Sequence, residues 1–435
     1  MGPEPTVEVC ALKYGKRWAY SLDIDDMPVT NYTVSFPLLS GYHFTDAPPG
    51  VRGGNRKPFV GNAAVFSSHV NPADEIYNST LLCWAQIQEM CKAGWAVANH
   101  AYSHADYGLT EEQMRNEAYW NQVLIAWHTS NTLAPNYFVY PSGDTAYRPF
   151  LKDYQLLSGG HVGEPVSNIH LKDFDWTDLK RIFLDEDEWS KTDDPYHQFP
   201  DPIQDGDVVV DITHGMDVEP NHPNRIRWER RLSMIQSLYG EGGADDMWSA
   251  SIDEIVAYDI ARRTAAVDIS DNQLTLFLDE NAPASPITLT IAGIPESVHL
   301  EAPEGGFLYR NKDVVWVTTP SLGGPVGSPL PTPNVRCIYN GPVTDLDWPD
   351  AIELAGVRVL QYDVEKGATL SIAIVTLNGA VVEVGSCGAS SDAEWKLFSS
   401  VPNKSPWSAK GLRVVGNTEA HKKMEIWVVE GEASS

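Results

Sequence analysis

The sequence predicts an α/β domain with a parallel sheet or barrel over residues 1–264, followed by a β-rich, sandwich-like module over 265–435. Three observations carry this. Apolar runs with strand character alternate with helical periods up to about residue 264. Beyond Arg263 the helical periods stop, and short alternating segments between turn residues replace them. A chain of 435 residues also exceeds one ordinary core, so two or three domains are expected.

Residues 7–24 read as strand, turn, strand, ending in Trp18-Ala-Tyr-Ser-Leu and then Asp25-Asp26. Residues 29–41 read as a short helix or irregular segment. The stretch 42–78, rich in Gly, Pro and Asn, reads as a long loop insertion, a kind of loop that is usually functional. A helical period covers 79–93, with Leu82, Ile87 and Met90 inward, and Gly94 ends it. The strand Gly94-Trp-Ala-Val-Ala-Asn99 follows. Thr110 and Gln113 form a capping box for a helix to about Ser130. Asn136 to Tyr140 is a short strand before the turn Pro141-Ser-Gly-Asp144, and Asp207 to Thr213 is a buried strand. Helices cover 225–238 and 251–263. In the β-rich part, Gln273 to Leu278 and Ile287 to Ile291 alternate, as do parts of 300–320 and 357–385. Gly323 to Pro333 either divides the module or forms a long loop.

The net charge of -28 opposes nucleic acid and anionic membranes, while tolerating neutral polymers and attracting cationic ones. Solubility alone is the simpler meaning of that charge. No apolar stretch approaches the roughly 20 residues of a membrane helix. No basic-then-apolar export signal is present. A secreted or periplasmic protein with its signal removed is the expectation, and a cytoplasmic one the alternative. The five cysteines include no CxxC pair, so a cysteine zinc site is not expected. Oligomeric state is not legible.

Working residues of parallel α/β folds gather at the C-terminal ends of strands. Four candidates stand there: Asp25-Asp26, His100 with His104, the Pro141-Ser-Gly turn, and His214. Two imidazoles four residues apart can turn to one point and, with a carboxylate, hold a divalent cation. Singly each feature is weak. Adjacent aspartates also occur at 193–194 and 245–246, and a lone histidine after a buried strand is usually a satisfied cap. Their shared position is the argument.

Residues 7–264 resemble the NodB-homology polysaccharide deacetylases, carbohydrate esterase family 4. The family's T-F-D-D-G is similar to Asp23-Ile-Asp25-Asp26-Met27. Its H-x-x-S-H is similar to His100-Ala-Tyr-Ser-His104, and its apolar strand ending in histidine to Val208-Val-Val-Asp-Ile-Thr-His214. The resemblance implies a distorted (β/α)7-type barrel. It implies Asp26, His100 and His104 as ligands of a divalent metal, zinc first, with nickel or cobalt as alternatives. It also implies Asp25 as general base, His214 as general acid, and oxyanion support from a backbone N–H near Ser142, with Tyr140 and Ser142 as substrate contacts.

Three departures stand out. Met27 replaces a glycine. Val139-Tyr-Pro-Ser-Gly143 lacks the arginine of the usual R-P-P-Y, for which Arg181 is a candidate; the alternative is a surface arginine beside the acidic run Asp185 to Glu188. Asp173-Phe-Asp175-Trp176 only partly echoes D-x-x-D-W. Trp248 is expected in the core. Tyr42 and Asp46 are expected to pack their loop rather than touch sugar, and Trp348, Trp395, Trp407 and Trp427 to be largely core. The expected activity is metal-dependent removal of acetyl groups from a carbohydrate, with N-acetyl hexosamine ahead of an O-acetyl xylan ester. Amide hydrolysis of a small non-sugar substrate and a carbohydrate-binding protein with a degenerate site are the rival readings.

Overall fold

The computed structural model describes residues 5–129, 133–162, 169–171, 174–185, 194–270, 273–322, 328–329, 335–361, 369–388, 394–402, 404–416 and 421–429. Seven strands close a parallel barrel in chain order. They are β1 (Trp18–Ile24), β2 (Asn62–Val65), β3 (Ala96–Asn99), β4 (Tyr137–Val139), β5 (Ser158–Val162), β6 (Leu179–Phe183) and β7 (Asp207–Thr213). Each pairs with the next, and β7 closes on β1, with Val208–Thr213 against Ala19–Ile24. β1 and β7 are buried at every residue, as strands covered on both faces must be. Met247–Ser249 adds a further parallel pairing along Trp18–Tyr20.

The main helices are α1 (Trp84–Lys92), α2 (Glu111–His128), α3 (Pro223–Tyr239) and α4 (Ile252–Thr264). The capping box of α2 is formed: the Thr110 N–H donates to Gln113 Oε1 at 2.8 Å, and Thr110 Oγ1 accepts the Gln113 N–H at 3.3 Å. α1 begins at Trp84, later than the helical period suggests, because Ser79 and Thr80 form a turn and Leu81 and Cys83 pair as bridges with Pro28 and Asn71. Trp248 is core, as expected.

One expectation is corrected, and two further features come with it. The 42–78 insertion is not one loop. It holds a small hairpin, His43–Thr45 with Arg56–Pro58, and then the barrel strand β2. Asn62-Ala-Ala-Val has a single β-branched residue, so its strand character comes from its neighbours and not from propensity. β5, Ser158-Gly-Gly-His-Val, was hidden for a related reason. A side chain at Gly159 would collide with the Tyr140 hydroxyl, and one at Gly160 with the Tyr137 hydroxyl. Both strands survive because the barrel needs them. Finally, the start of the barrel unit pairs with the β-rich region. Thr6–Val9 pairs antiparallel with Ser285–Ala292, which continues into Val314–Leu322 and Phe307–Asn311. Ile287 and Leu289 of this four-stranded sheet join the same core as Trp248 and Tyr258.

The rest of the β-rich region is a second antiparallel sheet of seven strands. Its 16-residue strand Leu346–Gln361 pairs with Trp407–Gly416 along its first part, and with His421–Val429 and Glu394–Ser399 along its second. Leu354, Val357, Ile372, Leu412 and Ile426 from four of these strands share one core. The division expected near 323–333 falls between the two sheets. Residues 323–327 and 330–334 lie outside the described residues, while Ser328–Pro329 pairs with Leu133–Ala134. Trp395 and Trp427 are buried, and Trp348 and Trp407 are partly so.

Candidate active site and metal centre

The C-terminal rim of the barrel is where the backbone is strained. Asp26 (φ 61°), Met27 (φ 43°), Ala101 (φ 59°), His104 (φ 56°) and Ser142 (φ 50°) all occupy the left-handed region without being glycine. Each such residue costs on the order of 1–3 kcal/mol, and such costs gather at functional sites. Met27, where the resembled motif has glycine, sits fully buried in that conformation.

The turn after β1 brings Asp26 to the imidazoles that follow β3. Asp26 Oδ1 lies 3.3 Å from His100 Nε2 and 3.4 Å from His104 Nε2. The three ligand atoms are all within 4.8 Å of one another. Oδ1 is sealed from solvent yet accepts no aligned hydrogen bond. A buried carboxylate oxygen without a donor is costly, unless a cation satisfies it. His100 Nδ1 lies 2.8 Å from the Val139 carbonyl at the end of β4, so that nitrogen carries the proton and Nε2 keeps its lone pair free. Burial pushes the Asp26 carboxyl up, but the His100 contact and the fields of His104 and His214 outweigh it and hold it at about 2. Two imidazole nitrogens and a carboxylate oxygen fit a zinc-type divalent ion.

Asp25 points the other way, into a buried floor. Arg181 on β6 grips it with two parallel bonds, Nη1 to Oδ1 at 2.9 Å and Nη2 to Oδ2 at 3.0 Å. The alternative of Arg181 as a surface residue is thereby excluded: it is 2% exposed. The same Nη1 reaches Asp23 Oδ2 at 3.1 Å, which also accepts the Tyr137 hydroxyl at 2.5 Å, while Asn62 Nδ2 donates to Asp23 Oδ1 at 2.7 Å. Burial pushes the Asp23 carboxyl up to about 6, with Arg181 acting in the opposite sense and Asp25 in the same.

His214, after β7, forms the opposite wall. Its Nδ1 lies 2.5 Å from Asp185 Oδ2, and its N–H donates to Asp185 Oδ1 at 2.8 Å. Nε2 is left facing Asp26 Oδ2 at 3.8 Å. The Asp185 bond, partly opposed by burial, raises the imidazole to about 9. A cleft of about 540 Å3 opens beside it, lined by Thr30, Asp185, His214, Met216 and Asn224 among others.

The two substrate contacts expected after β4 part company. Tyr140 is buried, its hydroxyl donating to the Thr177 carbonyl at 2.8 Å, so its side chain is core and not a substrate contact. Residues in β strands end alternately inward and outward, and Tyr140 falls on the side crossing β5. Ser142 stands exposed on the rim, its carbonyl accepting the hydroxyl of the exposed Tyr107 at 3.0 Å. Tyr42 bonds Glu229 and Ser233, and Asp46 accepts from Tyr309 and Asn55; both pack their loop. Asp175 caps Thr177, and Trp176 donates to Asp259, so this echo of a motif is structural. Asp173 and residues 186–188 lie outside the described residues.

Sequence reading missed Asp23, Tyr137, Asp185 and Phe66, whose ring lies 5.6 Å from that of His104. One signal was available: Asp23 is a charge inside an otherwise apolar run, two residues from Asp25 and so on the same face.

The barrel rim thus brings together a donor set that fits a divalent ion, a buried carboxylate and a wall histidine. Residues 19–155 match the family model described as polysaccharide deacetylase. No curated protein matches. Among solved structures, the chain is similar to the Streptococcus pyogenes deacetylase PplD in complex with acetate, at 19% identity over 33% of this chain and 55% of that one, TM-score 0.25. It is also similar to a family 4 carbohydrate esterase from Streptomyces lividans, at 18% identity over 54% and 92%, TM-score 0.32. A PuuE allantoinase is similar at 10% identity over 55% and 89%, TM-score 0.35. The chain thus spans just over half the length of PplD.

Proposed function

We propose that the barrel rim is a metal-dependent hydrolase centre that removes acetyl groups from a carbohydrate, with an N-acetyl hexosamine as the preferred unit. One observation carries this: the sealed, undonated Oδ1 of Asp26 lies between two imidazole nitrogens, next to a carboxylate already locked by Arg181. Asp26, His100 and His104 would hold the ion. A bound divalent cation supplies polarisation of the acetyl carbonyl and a lowered pKa for water.

The chain's own groups account for the proton traffic. Asp25, fixed by two bonds from Arg181, accepts the proton of the attacking water. His214, oriented by Asp185 with Nε2 toward the cleft, delivers a proton to the departing nitrogen. An amine leaves poorly unless protonated, so a histidine stabilised in its charged form favours amide over ester cleavage. The strongly acidic chain also suits a product that gains positive charge. Arg181 takes the place of the missing third-motif arginine, which speaks against a degenerate binding protein. The proposed setting is secreted or periplasmic, where polymeric acetylated glycans lie; fractionation of the native host checks it.

The deciding experiment is acetate release from chito-oligosaccharides, peptidoglycan fragments and acetylxylan, with and without chelator. Release from the first two and not the third, abolished by chelator, is expected. Chelator-insensitive release, or none from any glycan, would refute the proposal.

A further inference from the structure

The turn His100-Ala-Tyr-Ser-His104 carries both imidazoles and two left-handed residues, so something must hold it. The barrel holds part of it. Asn99 Oδ1 accepts the Ala101 N–H at 3.0 Å, and Glu117 accepts the Ser103 N–H and hydroxyl at 2.7 and 2.9 Å. The middle residue, Tyr102, is held by the β-rich module instead. Its hydroxyl donates to the Trp395 carbonyl at 2.6 Å. The Trp395 N–H donates to the Ser68 carbonyl at 2.7 Å, and the Ser68 N–H returns to the Tyr102 carbonyl at 2.9 Å. Three residues from three segments close a ring of hydrogen bonds, and one of them lies some 290 residues downstream (|i−j| = 293).

The ring is braced from behind. Arg358 stacks on the Trp395 ring, 4.1 Å from its centroid. Its Nη1 donates to the Ser67 carbonyl at 3.3 Å, and its Nε to Glu425 at 3.0 Å. Arg358 and Glu425 are both buried. Ser67 follows Phe66, whose ring packs against His100 and His104. Module contacts therefore converge on the two barrel loops that flank the imidazoles.

We propose that Tyr102, through the backbone of Trp395, is a positioning residue of the metal centre, so that the β-rich module sets the ligating shape of the His100–His104 turn. This rests on the metal reading above. Residues that orient metal ligands typically alter affinity by about 10–100-fold when removed.

The test uses the full-length chain and zinc, titrated in competition with a chromophoric chelator well below each variant's melting midpoint. Tyr102→Phe removes one hydroxyl and is expected to weaken zinc binding about 10–100-fold, with turnover restored by excess zinc. Trp120→Phe is the matched control. The Trp120 indole donates to Ser399 Oγ at 2.6 Å and to the Val401 carbonyl at 3.1 Å, across the same junction; it packs in the same cluster as Ala101 and Tyr102, but its indole N–H does not donate to the ligand turn. It is expected to lower the melting midpoint with zinc affinity unchanged. Equal zinc affinity in Tyr102→Phe and wild type overturns the proposal, as does an equal loss in Trp120→Phe, which would make the effect merely structural. A wild-type chain that takes up no zinc, nickel or cobalt sinks the metal reading as well.

Discussion

Asp25 lies in a floor of buried charges, whereas His214 stands on a wall open to solvent. In the floor, Asp23, Asp25, Arg181 and Tyr137 share their bonds, and Arg181 and Asp23 are 2% and 0% exposed. On the wall, the His214 side chain is 43% exposed and is held by Asp185, at 26%. Only His214 turns toward Asp26, its Nε2 3.8 Å from Oδ2. The floor couples Asp25 to folding, because no member can leave without stranding a charge in a buried interior. The wall leaves His214 tunable, because solvent screens whatever is changed there.

That contrast orders the expected effects. Arg181→Met should be the most damaging change. It strands two carboxylates and should cost about 3–5 kcal/mol of stability along with most activity; a melting midpoint near wild type would dissolve the floor as a unit. Asp25→Asn should act on chemistry alone. A loss of about 10²–10⁴-fold in acetate release is expected, with zinc binding kept within a few-fold. Full activity in that variant would move the base elsewhere.

Metal removal comes next. With zinc at 100 times its dissociation constant, binding stabilises the fold by about 2.7 kcal/mol, so chelator should lower the melting midpoint reversibly. An unmoved midpoint at saturating zinc would deny the coupling. Asp185→Asn should be mildest on stability, at about 0–1 kcal/mol. Its signature is in pH. His214 is raised to about 9, chiefly by the Asp185 bond, so the stability it adds is full below the ordinary histidine value and fades as pH rises through about 9. An acid must be protonated to act, so losing Asp185 should move the alkaline fall of kcat/KM to lower pH. A profile unchanged on that side would detach His214 from the acid role.

The sequence made the rim legible and its supports mostly illegible. His100 and His104 could be read because their spacing is local and follows an apolar run. Asp25-Asp26 and His214 gained weight from the same placement. Asp23, Tyr137 and Asp185 could not be assigned, because their partners lie 158, 114 and 29 residues away and meet only when the barrel closes. The short strands β2 and β5 escaped for the same reason: alanine and glycine carry little strand preference, and long-range pairing overrode it. Tyr140 failed as a substrate contact because one residue of strand register decides between rim and core.

The pairing of Thr6–Val9 with Ser285–Ala292 bears on how the molecule comes into being. This strand has its partner 280 to 286 residues later, with Val9 opposite Leu289 and Thr6 opposite Ala292. During synthesis the barrel strands are complete well before that partner emerges, so the N-terminal edge and the face that receives Ile287 and Leu289 wait uncovered. Contacts of such long sequence separation are slow to form. A fragment ending at Thr264 would keep every residue of the rim and still lack the sheet that seals its base.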